Sequence, residues 1–346
     1  MSYDFRSDTV TKPTEGMYRA MCAAEFGDDA LDVDPTVQRL EERCAAMLGK
    51  EAGLFVPSGT MANLLAVFLH CRPGDELFCE ENSHVYVYEQ GGYAQINGVC
   101  ARPLPGCRGV FDAKTLTEAI REPNLHFPNP KAVFIENTHN RGGGSIWQFE
   151  TLHDVCRTAN QQGLTLHLDG ARLMNAVVAT GRTASEWSKP FDTVSVCFSK
   201  GLGAPVGSLL AGTSDWIHLA KRRRKVLGGG MRQAGILAAT ALYALDHHID
   251  RLADDHRNAR MLASRIQEML PYGIRLKYDL PDTNIVFFEI TKPQWTAQQF
   301  CSELASRGIL MLPEQTGLST VRAITHLNVD AAAVNKAVDA IADVLK

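Results

Sequence analysis

The sequence predicts an α/β fold: a mostly parallel, seven-stranded sheet with one antiparallel strand, followed by a smaller C-terminal α+β unit. Three observations predict it. Short apolar runs alternate with longer helical patterns from about residue 53 onward. The runs begin roughly 20 to 35 residues apart, the length of a strand plus a crossover helix. One run breaks this spacing, following its predecessor after a connection shorter than the dozen or so residues a parallel crossover needs.

Taken in order, the candidate strands are Gly53 to Val56, Leu77 to Cys79, Val99 to Leu104, Ala132 to Glu136, Leu164 to Leu168 and Thr193 to Phe198. Val206 to Ala211 is the run that arrives too soon and is expected to be antiparallel. After Ser58-Gly59-Thr60, residues Met61, Leu64, Leu65, Phe68 and Leu69 recur at helical spacing and should form the face that packs on the sheet. A long helical region from about Arg232 to Met269 leads into the second unit. There Asn284 to Ile290 and Thr320 to Ile324 read as strands, and Thr296 to Arg307 and Asp330 to Leu345 as helices. The expected division is a large unit over 1–250 and a small one over 251–346.

A length of 346 residues supports two such units. With 35 Lys+Arg against 39 Asp+Glu the net charge is -4, so no global positive field is available to hold nucleic acid or an anionic membrane. The longest apolar helical stretch, Ala234 to Leu245, falls short of the ~20 residues a membrane span requires. Nine scattered cysteines, without CxxC or zinc-ligand spacing, read as reduced thiols. The start, Met1-Ser-Tyr-Asp-Phe-Arg-Ser-Asp, is acidic where a secretory leader would be basic and then apolar, so a cytoplasmic location is expected. The strongest basic run, Lys221 to Lys225, reads as a solvated helix face.

In a parallel sheet, ligands gather at the carboxyl ends of the strands. Phe55-Val-Pro-Ser58-Gly59-Thr60 carries a strand into a helix N-terminus, where free N–H groups and the helix dipole favour a phosphate; taken alone, it is more often an N-cap. Leu164-Thr-Leu-His-Leu-Asp169-Gly170 ends at an acid that could hold a proton on a ring nitrogen or simply form a turn. Val194-Ser-Val-Cys-Phe198-Ser199-Lys200-Gly201 delivers a lysine to the rim, suited to an imine or to a snorkelling surface position. The combination decides. A phosphate cradle, an acid and a lysine at the ends of three strands are what pyridoxal phosphate requires.

These segments occur together with Phe5-Arg6-Ser7-Asp8-Thr9-Val10-Thr11-Lys12-Pro13, Glu136-Asn137-Thr138-His139-Asn140, His167-Leu168-Asp169-Gly170-Ala171-Arg172 and Gly228-Gly229-Gly230-Met231-Arg232-Gln233. As a set they resemble the L-threonine aldolase family of the low-specificity type, over essentially the whole chain. The resemblance implies pyridoxal 5'-phosphate as cofactor and the fold type I architecture of the aspartate aminotransferase superfamily. It implies that Lys200 carries the cofactor as a Schiff base, that Asp169 keeps the ring nitrogen protonated, that Ser58, Gly59 and Thr60 hold the phosphate, and that His84 stacks on the ring. Ser7, Arg172 and Arg322 correspond to substrate-carboxylate contacts, with Arg172 also near the cofactor's phenolic oxygen. Tyr88, with Glu89, would shape the same wall. The segment through Arg232 would reach a neighbouring subunit's cofactor phosphate, which implies a homodimer or homotetramer with its sites at the interface.

The implied reaction is reversible retro-aldol cleavage of a small-molecule β-hydroxy-α-amino acid to glycine and an aldehyde. Its base should be near-neutral and within reach of the hydroxyl. His84, His126 in Leu125-His126-Phe127-Pro128, and a bound water all qualify, and the sequence does not separate them. No carboxylate cluster demands a metal. The nearest rival is another fold type I enzyme, an aminotransferase or a β-eliminating lyase. A noncatalytic regulator would need a DNA-reading element, for which no segment is evident. A dehydrogenase is disfavoured because the third glycine after Gly201-Leu-Gly203 stands at 207, one residue off the GxGxxG spacing.

Overall fold

The computed structural model describes residues 2–314 and 319–346. Its main sheet is built from Ala52–Val56 (β1), Asp75–Glu80 (β2), Cys100–Leu104 (β3), Asn129–Glu136 (β4), Thr165–Gly170 (β5), Thr193–Cys197 (β6) and Ser208–Gly212 (β7), in the order β1-β7-β6-β5-β4-β2-β3. The pairs from β3 through β6 are parallel, whereas β7 runs antiparallel to both β1 and β6. The short connection before β7 therefore has the expected consequence. Three of these strands, β2, β6 and β7, are buried along their whole length, as expected where helices cover both faces.

A second sheet is formed by Ile274–Leu276 (β8), Ile285–Ile290 (β9), Leu312–Pro313 (β10) and Thr320–Ile324 (β11), in the antiparallel order β10-β11-β9-β8. β8 and β10 are too short to show a periodicity, and the sequence did not announce them. Nor did it announce Tyr3–Asp4, which pairs in parallel with Ile309–Leu310. Phe5 follows it into the core of the second sheet, fully buried, and its carbonyl accepts from the Ile324 N–H at 2.8 Å. The first residues of the chain thus lie against its last strands.

Three expectations need correction. On the helix Gly59–His70, the buried residues are Ala62, Asn63, Leu65, Ala66, Val67 and His70; of the expected face only Leu65 is buried and Phe68 is exposed. Small Ala62 and Ala66 let the helix approach the sheet, Asn63 and His70 find hydrogen-bond partners on β5 and β6, and Phe68 instead lies under the Arg223 guanidinium. The long helical region is two helices, Gly235–His247 and Leu252–Glu268. The break is fastened to the loop after β6 by His248 Nδ1 on the Leu202 carbonyl and Arg251 Nη1 on the Gly201 carbonyl. Finally, the basic run on the helix Ser214–Val226 is only partly solvated: Arg224 is buried and donates to Asp29 and to the Phe55 carbonyl, both at 2.5 Å. A buried guanidinium needs such partners.

All nine cysteines are unpaired. Among the described residues, no helix is long and apolar enough to cross a membrane.

Candidate active site

Ser7, His84, Tyr88, Arg172, Lys200 and Arg322, six of the residues singled out in the sequence, line one cavity of about 420 Å³. A larger cleft of about 570 Å³ is lined by Arg108, Trp147, Phe149 and Arg182, and none of the candidate residues opens onto it. Chemistry therefore favours the smaller cavity. It lies where the carboxyl ends of β5 and β6 meet the edge of the second sheet at β10 and β11, the place an α/β sheet offers for a ligand.

Asp169 closes β5 from behind, buried, accepting from Asn63 Nδ2 at 2.8 Å and from the Ala171 N–H at 3.1 Å. Burial alone would raise its pKa, but the positive charges of His84 and Lys200 and the Asn63 hydrogen bond hold it below the usual carboxylate value. His84 Nδ1 meets Glu89 Oε1 at 2.8 Å, and the ligand atoms of His84, Glu89 and Asp169 all fall within 4.8 Å of one another. Burial would lower the His84 pKa; the Glu89 hydrogen bond and the surrounding acids more than offset it and raise the pKa. The Tyr88 ring sits 5.6 Å from the His84 ring. Lys200 follows β6, and among the described residues its amine makes no hydrogen bond or ion pair.

Two arginines converge from opposite sheets. Arg172 donates twice to Asp8, Nε to Oδ2 and Nη2 to Oδ1, both at 2.7 Å. Asp8 is fully buried, which would raise its pKa, yet the Arg172 charge and hydrogen bonds hold it well below the ordinary range. Arg322, on β11, reaches Asn140 Oδ1 at 3.3 Å, the same oxygen that Arg172 Nη1 approaches at 3.5 Å. Burial, followed by the neighbouring Arg172 charge, lowers the Arg322 pKa. Ser7 caps the short turn Asp8–Val10, its Oγ accepting from the Thr9 N–H at 3.2 Å.

Sequence reasoning left Asp8, Asn63, Glu136 and Asn140 without roles, although Asp8, Glu136 and Asn140 stand in quoted motifs and Asn63 three residues past one. Glu136 accepts from the His84 N–H at 2.7 Å and from the Asn140 N–H at 2.8 Å, so one carboxylate fastens the histidine and the arginine-binding amide together. His139 adds a buried ion pair, 3.2 Å from Glu80, and these acids raise its pKa against the lowering effect of burial. For Asn63 and Glu136 a polar residue in an otherwise apolar run was the available signal; Asp8 and Asn140, set in polar runs, carried none.

Three predicted elements stand apart from the cavity. Ser58 caps its helix, accepting from the Met61 N–H at 3.2 Å, and Gly59 passes so close to β6 that a Cβ there would lie 2.8 Å from Cys197 Sγ. With Thr60 they form the neighbouring helix N-terminus. His126 lies in an exposed loop, and Arg232 is exposed and paired with Asp28 at 2.9 Å. This chain does not bring either of them to the cavity.

The beta-eliminating lyase family model matches residues 4–292. Low-specificity L-threonine aldolase 1 of Arabidopsis thaliana is 43% identical over 330 residues, covering 94% of this chain and 91% of the relative. The low specificity L-threonine aldolase of Escherichia coli K12 is 39% identical, covering 94% of each chain. A threonine aldolase structure from Leishmania major superposes with a TM-score of 0.84 at 21% identity, covering 99% of this chain and 100% of that one, which shows the expected fold type I architecture. The chain belongs to the beta-eliminating lyase family, with low-specificity L-threonine aldolases among its relatives.

Proposed function

We propose that the protein is a pyridoxal-phosphate-dependent aldolase that reversibly cleaves L-threonine, L-allo-threonine and related β-hydroxy-α-amino acids to glycine and an aldehyde. One observation carries the reading: Lys200 and Arg322, neither ion-paired among the described residues, share a cavity with His84, whose ring lies beside buried Asp169. The donor set fits the cofactor. Lys200 would hold its carbonyl carbon, Asp169 its ring nitrogen, and the helix N-terminus at Ser58, Gly59 and Thr60 its phosphate. Glu89 Oε2, buried and without a hydrogen-bond partner among the described residues, would add negative potential beside the same ring. When bound, the cofactor supplies a conjugated pyridinium that takes up the electron pair of the breaking Cα–Cβ bond.

The chain's own residues do the rest. Arg322 and Ser7, with only the Nη1 edge of Arg172 that Asp8 does not occupy, bind and orient the substrate carboxylate, which decides the bond that stands perpendicular to the ring. His84 has Nδ1 committed to Glu89, leaving Nε2 to take the β-hydroxyl proton. Its place in the cavity favours it over His126, which a neighbouring subunit would have to present. The same reasoning gives Arg232 to an adjacent active site in a homodimer or homotetramer. A cytoplasmic enzyme with large and small units meeting near residue 250 completes the proposal.

Threonine supplied without a keto acid tests it. Glycine and acetaldehyde in equal amounts are expected. A 2-keto acid with ammonia, or no turnover until a keto acid is added, would instead assign β-elimination or transamination.

A further inference from the structure

Behind Asp169 the interior holds a line of polar side chains for which the reaction has no direct use. Asn63 Nδ2 donates to Asp169 Oδ2 and to Glu89 Oε1, both at 2.8 Å, while its oxygen lies 3.2 Å from His167 Nε2 and 3.4 Å from Ser195 Oγ. His167 Nδ1 is 2.8 Å from Thr193 Oγ1, which is 2.7 Å from His70 Nε2, and His70 Nδ1 is 2.6 Å from Thr165 Oγ1. All but Thr165 are buried. Phe134 packs on His167 with ring centroids 4.6 Å apart, and Trp216 meets His70 edge-on at 4.7 Å.

The proton positions follow one from another. Carboxylate oxygens accept, so Asn63 turns its NH2 toward Asp169 and Glu89 and its oxygen toward His167 and Ser195. His167 Nε2 therefore carries a hydrogen. Burial holds both imidazoles neutral, His167 at about 4 and His70 well below its usual 6.5. His167 Nδ1 is then bare and takes the Thr193 hydroxyl proton. A hydroxyl has one proton to give, so Thr193 accepts from His70 Nε2, and His70 Nδ1 accepts from Thr165 in turn. The Thr165 hydroxyl also lies 3.1 Å from the Lys131 carbonyl, the longer of its two contacts. A hydrogen bond to the main chain of Thr193 favours the charged His167 ring but is outweighed by burial, and the alternative neutral form would carry its hydrogen on Nδ1. That tautomer, however, would set two bare acceptors, His167 Nε2 and Asn63 Oδ1, 3.2 Å apart in a dry interior.

We propose that this one-way line, Thr165 to His70 to Thr193 to His167 to Asn63, is a positioning device that locks the Asn63 amide and so holds Asp169 as an acceptor toward the ring nitrogen. Only that last link rests on the proposed cofactor. Asn63 bridges two acids, so the same amide orients Asp169 and, through Glu89, His84.

Nitrogen-15 histidine NMR of the cofactor-free protein reads the line directly. Both rings should be neutral Nε2–H tautomers that do not titrate between about pH 5 and pH 8. A His167 Nδ1–H tautomer, or titration of either ring in that range, overturns the proposal. Thr193→Val, which keeps the shape and removes the hydroxyl, should turn His70 to Nδ1–H as Thr165 swings to the Lys131 carbonyl. In the holoenzyme it should lower kcat about tenfold with KM held within about threefold, and Thr193→Ser should restore both. An altered tautomer with unchanged kcat removes the positioning role. The two proposals fail separately: a protein that stays colourless with pyridoxal phosphate yet shows these tautomers refutes the cofactor, and a coloured, active enzyme with the other tautomer refutes the line.

Discussion

Arg172 and Arg322 reach one cavity from two sheets, and their surroundings differ in kind. Arg172 is buried and already holds a carboxylate, Asp8, through two 2.7 Å bonds that also tie the N-terminal segment to the end of β5. Arg322 is half-buried and, among the described residues, hydrogen-bonds only to an amide oxygen and the Arg6 carbonyl, each at 3.3 Å. One is a completed pair; the other, among the described residues, is a cation without an anion. Residue type alone does not assign a role, because what matters is whether the charge has been satisfied internally.

The comparison breaks most severely at Lys200, the other cation in the cavity that makes no ion pair among the described residues. Lys200→Ala should reduce glycine release by about 10⁴-fold or more and abolish the absorption band of the bound cofactor, with the fold intact by circular dichroism. Activity within tenfold of wild type would end the assignment. Asp8→Asn attacks the completed pair and leaves Arg172 buried without its charge partner, so urea unfolding should register a loss of about 3–5 kcal/mol. The Asp8 pKa is depressed in the folded state, so its contribution is present above the ordinary value of 3.8 and is lost as pH falls through the folded one. The variant should therefore show a flatter acid limb of stability.

Arg322→Ala should separate the two arginines, raising KM for threonine about 10- to 100-fold while moving the melting temperature by only about 2 °C. A large loss of stability would make Arg322 a structural partner like Arg172. The smallest effect is expected from Glu89→Gln. The neighbouring acids raise the His84 pKa, and a base acts only when deprotonated, so kcat/KM falls as pH drops through that raised value. Removing the Glu89 charge should extend activity about one unit further into acid. An unmoved pH profile would transfer the base to another group.

The chain's local patterns were enough to place seven main strands, the reversal at β7, and the lysine, acid and helix N-terminus at their carboxyl ends. Strand alternation, connection length and turn residues act over a few neighbours, so they are written locally. The helix Gly59–His70 shows where that legibility stops. Its larger apolar residues suggested one face, but the buried face is the one carrying Ala62, Asn63 and His70, because their partners Asp169 and Thr193 come from strands about a hundred residues away. Asp8 is the same case, its meaning supplied by Arg172.

What the sequence determined by itself is the α/β order of elements and the kinds of chemical group available at the strand ends. Only the tertiary structure decided which charges neutralise each other and which remain for a ligand. Desolvation and hydrogen-bond satisfaction depend on every group that surrounds a buried atom, and those neighbours are assembled from distant parts of the chain.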